Sequence, residues 1–118
     1  MTFIRNGYIS YGYMSLTPAV LHILLSLAGD NRHGLGIAAD VKAFTNGRLT
    51  LGPGTLYGTI KRLLEAGLIE DLGSPDAADD DPRRRYYGIT PAGRRALEQE
   101  TATLTSTLAV ARRRLKTS

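Results

Sequence analysis

Thr55, Tyr57, Gly58, Thr59, Lys61 and Arg62 crowd into one short segment directly after Gly52-Pro53-Gly54. Leu56, Ile60, Leu63 and Leu64 share that segment at helical spacing. A helix here turns its leucines and isoleucine inward and leaves hydroxyls, a phenol and two cations outside. Such a face suits hydrogen bonding to base edges and ion pairing with phosphates. The bare Gly52-Pro53-Gly54 start lets backbone approach a phosphate closely and offers it the unpaired N–H groups of a first helical turn. Gly58 leaves further room for close approach. On an isolated helix the same residues would be an ordinary solvated surface, so the surrounding elements decide between the two readings.

A second basic group, Arg83, Arg84 and Arg85, runs into Tyr86 and Tyr87, with Asp76, Asp79, Asp80 and Asp81 just before it. In a strand, successive residues point to opposite faces, so Arg83 and Arg85 are expected opposite Arg84. Phosphates repel carboxylates, so the acidic tip is expected to point away from a polyanion while the arginine base touches it. Internal pairing between the Asp run and the Arg run is the competing arrangement. His22 and His33 are the only histidines; His22 falls in an apolar helix and His33 in a turn, and neither has neighbours with metal-ligand spacing. Gly34-Leu35-Gly36-Ile37-Ala38-Ala39 fits the dinucleotide pattern G-x-G-x-x-A, but no strand–helix–strand unit surrounds it. No nucleophile or acid/base pair stands out. The sequence implies no enzyme, no cofactor and no metal.

The elements that must position these groups carry clear punctuation. Proline at the first helical position sacrifices no hydrogen bond, and three helices open that way. Thr17-Pro18 opens the first, stopped by Gly29-Asp30-Asn31; Gly52-Pro53 opens the third, through about Ala66; Thr90-Pro91 opens the last, which can run nearly to the C-terminus. A second helix spans roughly Gly34 to Phe44, with Ile37, Val41 and Phe44 on one face and Asn46-Gly47 closing it. Leu68–Leu72 and Arg84–Ile89 read as two strands of a hairpin with a polar tip, and Arg48–Leu51 as a minimal third strand. Helix, helix, helix, hairpin, long helix is the order of a winged helix-turn-helix, mainly α with a small β-hairpin. The third helix there faces a DNA groove.

In the last helix Leu97, Thr101, Leu104, Leu108, Ala111 and Leu115 recur in steps of four and three residues, a heptad seam. A small domain has limited core to cover such a seam, so a homodimer through Leu97, Leu104, Leu108 and Leu115 is expected, packed with the first helix or the N-terminal arm. Folding back onto its own domain is the alternative. Arg112, Arg113, Arg114 and Lys116 complement the C-terminal end of the helix dipole. The expected division is therefore an arm over 1–16, a winged helix-turn-helix domain over 17–90 and a dimerisation helix over 91–118.

Composition agrees with this class. The 118 residues hold 42% hydrophobic and 22% charged side chains, ordinary for one globular domain. Cysteine is absent, which excludes disulfide scaffolds and thiolate zinc sites. The longest mainly apolar run, Ala19–Ala28, contains His22 and is too short to span a bilayer, and the N-terminus is a poor signal peptide, so a cytoplasmic protein without a membrane partner is expected. The formal net charge is +4, which favours polyanions where the cations cluster. Rival classes are a winged-helix protein–protein adaptor and, more weakly, a membrane-surface protein using the basic tail.

Leu16-Thr17-Pro18-Ala19-Val20-Leu21-His22-Ile23-Leu24, then His33-Gly34-Leu35-Gly36-Ile37, resemble the start of PadR-family transcriptional regulators. Leu51 through Leu63, running into Glu65-Ala66-Gly67-Leu68-Ile69, is similar to that family's recognition-helix signature. Arg84 through Gly93 looks like its second wing strand and junction. The resemblance covers about Leu16 to Leu97 and implies a prokaryotic winged-helix homodimer of the shorter, single C-terminal-helix class. It further implies a repressor on a pseudo-palindromic operator in double-stranded DNA, released by a small molecule. By position, Thr55, Tyr57, Gly58 and Lys61 would face DNA, with Arg84 and Arg85 in the wing; Arg62 and Arg83 belong to the same candidate surface. Leu35 stands where the family often has an aromatic, with Tyr86 or Tyr87 as compensating packing. Some members stack flat drugs between tryptophans, and this chain has none. A small aromatic effector would instead meet Tyr8, Tyr11 and Tyr13 of the arm, between the subunits; covering the dimer core is the other role open to them.

Overall fold

The computed structural model describes residues 16–75 and 81–116, so the arm with Tyr8, Tyr11 and Tyr13 and the tip with Asp76, Asp79 and Asp80 lie outside the described residues. The chain runs α1 (Pro18–Gly29), β1 (Arg32–His33), α2 (Gly34–Phe44), α3 (Pro53–Glu65), β2 (Ile69–Gly73), a 3-10 turn (Pro82–Arg84), β3 (Tyr86–Ile89) and α4 (Pro91–Lys116). The expected winged helix-turn-helix is present: the described residues form four α-helices and a small antiparallel sheet in the order β1-β3-β2.

Local chemistry places the helix ends where the sequence suggests. The Thr17 hydroxyl accepts from the Val20 N–H at 3.2 Å and Pro18 sits in the first turn of α1. Thr90 caps α4 by accepting from the Gly93 N–H at 3.1 Å, and its hydroxyl donates to the Gly67 carbonyl at 2.6 Å. One side chain thus starts the last helix and ties it to the turn between α3 and β2. His33 is not in a free turn but ends β1 and caps α2, its Nδ1 accepting from the Gly36 N–H at 2.9 Å. His22 donates through Nδ1 to the Pro18 carbonyl at 2.7 Å and stacks on Phe44 with ring centroids 5.8 Å apart.

Strand pairing departs from expectation in three places. The third strand is β1, paired with β3 through Arg32 opposite Tyr87 and His33 opposite Tyr86, and not Arg48–Leu51. After α2 the chain turns through Asn46 (φ 54°) and Gly47 (φ 76°), and the Thr45 hydroxyl accepts from the Leu49 N–H at 3.1 Å. That hydrogen bond and the burial of Leu51 take this segment into the core rather than onto a sheet edge. The second wing strand begins at Tyr86, because Asp81 and Pro82 start a 3-10 turn that holds Arg83 and Arg84. The alternation expected for the three arginines is therefore replaced by turn geometry. The first wing strand is Ile69–Gly73, with a bulge between Asp71 and Gly73.

Ile23, Leu24 and Leu27 of α1 meet Ile37 and Val41 of α2, Leu56, Ile60 and Leu63 of α3, and Ile69 and Tyr87 of the sheet in one core. Ala96 and Leu97 close it from α4. Leu97 is thereby taken out of the expected seam: it is buried against its own domain, since the first turns of α4 pack on α1. Beyond Glu100 the helix leaves the core, and Leu104, Leu108 and Leu115 are 45%, 48% and 75% exposed. The radius of gyration, 15.9 Å, exceeds the roughly 13.5 Å of a compact chain of this length, as a projecting helix requires. Among the described residues no helix is long and apolar enough to cross a membrane.

Thr45 offers a stability test. It is buried, its hydroxyl donates to the Val41 carbonyl at 2.8 Å, and it accepts from Leu49 N–H. Thr45→Val keeps the shape and leaves that N–H unpaired, so thermal melts are expected to show a loss of about 1–2 kcal/mol. An unchanged melting temperature would mean that Asn46 and Gly47 alone hold the turn.

Candidate nucleic-acid interface

Helix α3 is built as two faces. Leu56, Ile60 and Leu63 are buried, whereas Gly54, Thr55, Lys61 and Arg62 are exposed. Gly52 caps the helix without a side-chain hydrogen bond, and a Cβ added at Gly52 or Gly54 would meet nothing within 4 Å. The backbone of this first turn is consequently open to a large ligand.

Two residues of the expected outer face sit elsewhere. Thr59 is fully buried: its position is three residues after Leu56 and four before Leu63, at the centre of the apolar stripe. Its hydroxyl accepts from the Arg62 guanidinium at 3.2 Å, which draws one arm of Arg62 back along the helix. Tyr57 is half-buried, about 100° round the helix from Leu56, with its ring against Gly34. Burial raises the pKa of its phenol above the ordinary value, with the nearby Arg83 charge opposing that shift and Asp81 adding to it. Helical angle was available in the sequence for Thr59; the contact of Tyr57 with Gly34 was not.

The arginine base of the wing is pre-set by carboxylates. Asp81 accepts from the Arg83 N–H and from its Nε at 3.0 Å each, which lowers the Asp81 pKa to about 2. Arg85 Nε donates to Asp71 at 2.8 Å across the hairpin, and that hydrogen bond lowers the Asp71 pKa. Arg84 is exposed on the 3-10 turn. Of the expected pairing between the Asp run and the Arg run, the described residues hold Asp81 with Arg83, while Arg85 pairs with Asp71 of β2 instead, and Arg83 lies within electrostatic reach of Tyr57 on α3. The turn packs against α2 and β1. A cleft of about 350 Å³ opens there, lined by His33, Leu35, Pro75, Arg83, Arg84 and Tyr86. Tyr86 stands edge-on to His33 at 5.4 Å, while Tyr87 points into the core.

The glycines that mimic a dinucleotide motif have a packing explanation instead. Gly34 makes room for Tyr57, and a Cβ at Gly36 would lie 3.3 Å from the capping His33 ring. Among the described residues no group of three His, Asp or Glu is placed to hold a metal.

Comparison with known proteins agrees with this architecture. Residues 20–99 match the model of the transcriptional regulator PadR-like family. The chain is 38% identical over 80 residues to the transcriptional regulator Rv3488 of Mycobacterium tuberculosis, covering 68% of this chain and 69% of that protein. It is 36% identical over 87 residues to an uncharacterized 37.1 kDa protein in transposon TN4556 of Streptomyces fradiae, covering 74% of this chain but only 23% of that protein's length. Among solved structures, a PadR family transcription regulator of Clostridium difficile superposes with a TM-score of 0.67 at 25% identity, covering 82% of this chain and 97% of that one. With its family signature running from α1 into α4 and its helices and wing in place, the chain belongs to the PadR-like family of transcriptional regulators, which are not enzymes.

Proposed function

We propose that this regulator acts as a homodimer in the cytoplasm and represses transcription from a pseudo-palindromic operator in double-stranded DNA. In this reading Thr55 and Gly58 of α3 meet base edges, while Lys61, Arg62 and the wing arginines Arg83, Arg84 and Arg85 hold phosphates. The observation that carries it is the exposed face of α3, with Thr55, Lys61 and Arg62 outward, beside an arginine-bearing turn that packs on α2 and keeps Arg84 exposed. One basic surface then spans groove and backbone. The projecting half of α4 supplies the dimer contact through Leu104, Leu108 and Leu115. A small aromatic effector would bind between the subunits and act by differential affinity for two spacings of the reading heads. Tyr8, Tyr11 and Tyr13 are the candidates to line that space.

A salt titration tests this reading against the adaptor alternative, which the Arg83–Asp81 and Arg85–Asp71 pairs favour. Operator binding must weaken steeply with salt, by a slope near 0.9 for each phosphate neutralised. Lys61→Ala or Arg84→Ala is expected to weaken binding alike on every sequence and to reduce the slope by about one. Thr55→Ala is expected to change the preference among operator variants instead. Absence of any tight duplex complex would leave the adaptor.

A further inference from the structure

The ring of Tyr57 lies end-on against the first residue of α2. A Cβ at Gly34 would stand 2.7 Å from Cε1, 2.8 Å from Oη and 3.0 Å from Cζ of that ring, so only glycine leaves Tyr57 where it is. The Tyr57 hydroxyl is buried and has no hydrogen-bond partner among the described residues. A base-reading phenol would present its hydroxyl outward; this one is turned in and serves as bulk. What it abuts is also informative. Gly34 follows β1, which pairs with β3 of the wing, and the turn carrying Arg83 and Arg84 packs on both α2 and β1. The charges of Arg83 and Asp81 bear on the Tyr57 phenol, and that phenol bears in turn on Tyr87 of β3. Helices α3 and α2 thus meet at this ring, which lies within electrostatic reach of the wing.

Resting on the DNA-reading proposal above, we propose that Tyr57 is a positioning residue. Seated on Gly34, it sets the separation between α3 and the arginine base of the wing, and it does not read bases. This reassigns a residue that the sequence places among the DNA-facing group. The physical consequence is a fixed span. A helix in the groove and a turn on the backbone engage together only when their separation matches the duplex, so a small displacement uncouples the two sets of contacts.

The test begins by selecting duplexes from a randomised double-stranded library with the full-length wild type. Affinity for the best site and its single-base variants is then measured against salt for Tyr57→Phe, Gly34→Ala and the pair Gly34→Ala with Tyr57→Leu. Tyr57→Phe is expected to keep affinity within about twofold on every variant and to melt no lower than wild type, since it removes a hydroxyl that has no partner among the described residues. Gly34→Ala is expected to lose about tenfold or more on all variants with a shallower salt slope, because the wing arginines no longer reach their phosphates. The shorter leucine restores the space, so the double variant is expected within about threefold of wild type, a non-additivity that marks direct contact. If Gly34→Ala does not fold, recovery of folded, DNA-binding protein in the double variant supports the seating of Tyr57 on Gly34 equally well. A changed order of base preference in Tyr57→Phe, wild-type binding by Gly34→Ala, or no rescue by leucine each overturns this proposal alone. A wild type that enriches no duplex overturns the DNA-reading proposal and this one with it.

Discussion

Replacing Leu104 and Leu108 together with Asp is expected to leave the winged helix folded and to yield a monomer that no longer holds its operator. The two leucines stand one turn apart on α4, 45% and 48% exposed, beyond the last residue that the core uses. Within one chain they touch little, so the isolated fold should melt as before. In a dimer, burying the remaining exposed half of each leucine is worth about 0.7–1.5 kcal/mol, and both helices contribute. A carboxylate in that position reverses the sign, because an unpaired charge cannot be carried into an apolar contact. Two linked reading heads gain about 10²–10⁴ in avidity over one, so a loss of that order in operator affinity is the matching readout. Sedimentation of wild type and variant at micromolar concentration decides the matter. A monomeric wild type, or a variant that remains dimeric, would remove the seam. With the seam intact, the two recognition helices should engage major grooves about 10 bp apart or a multiple of that.

Gly93→Ala is expected to cause the largest loss of stability of any glycine-to-alanine change among the described residues. A Cβ there would fall on the Leu68 carbonyl, the same carbonyl that accepts from the Thr90 N–H at 3.1 Å, and would press on Ile89 Cγ1 as well. Backbone cannot swing aside as a flexible side chain can. Either α4 lifts off α1 and the sheet, or the β2 start moves and loses its pairing. Overpacking of this kind costs about 3 kcal/mol or more, which at about 4–8 °C per kcal/mol lowers the melting temperature by at least about 12 °C. The position matters for function because the same contact aims α4 away from the domain. A melt within a few degrees of wild type would show that α4 reseats freely, and its direction would then not be set by this junction.

The helix starts were legible because each is decided within a few residues. Thr17-Pro18, Gly52-Pro53 and Thr90-Pro91 satisfy or remove first-turn N–H groups without help from elsewhere. The apolar stripe of α3 was equally legible, since helical spacing alone decides which leucines turn inward. Thr59 shows the limit of reading by polarity: its angle puts it in the stripe, and the Arg62 guanidinium makes its burial tolerable. The partner of β3 was not legible. Arg32–His33 is too short to carry a strand pattern and becomes one only because β3 comes alongside.

Local hydrogen bonding, helical period and proline placement therefore determined the element order, the winged-helix class and the exposed basic face of α3. Tertiary packing decided what residues distant in sequence do to one another. It buried Leu97 in its own domain, folded Arg83 and Arg84 into a turn, and seated Tyr57 on Gly34. Those outcomes depend on distances between elements, which no periodicity within a single segment encodes.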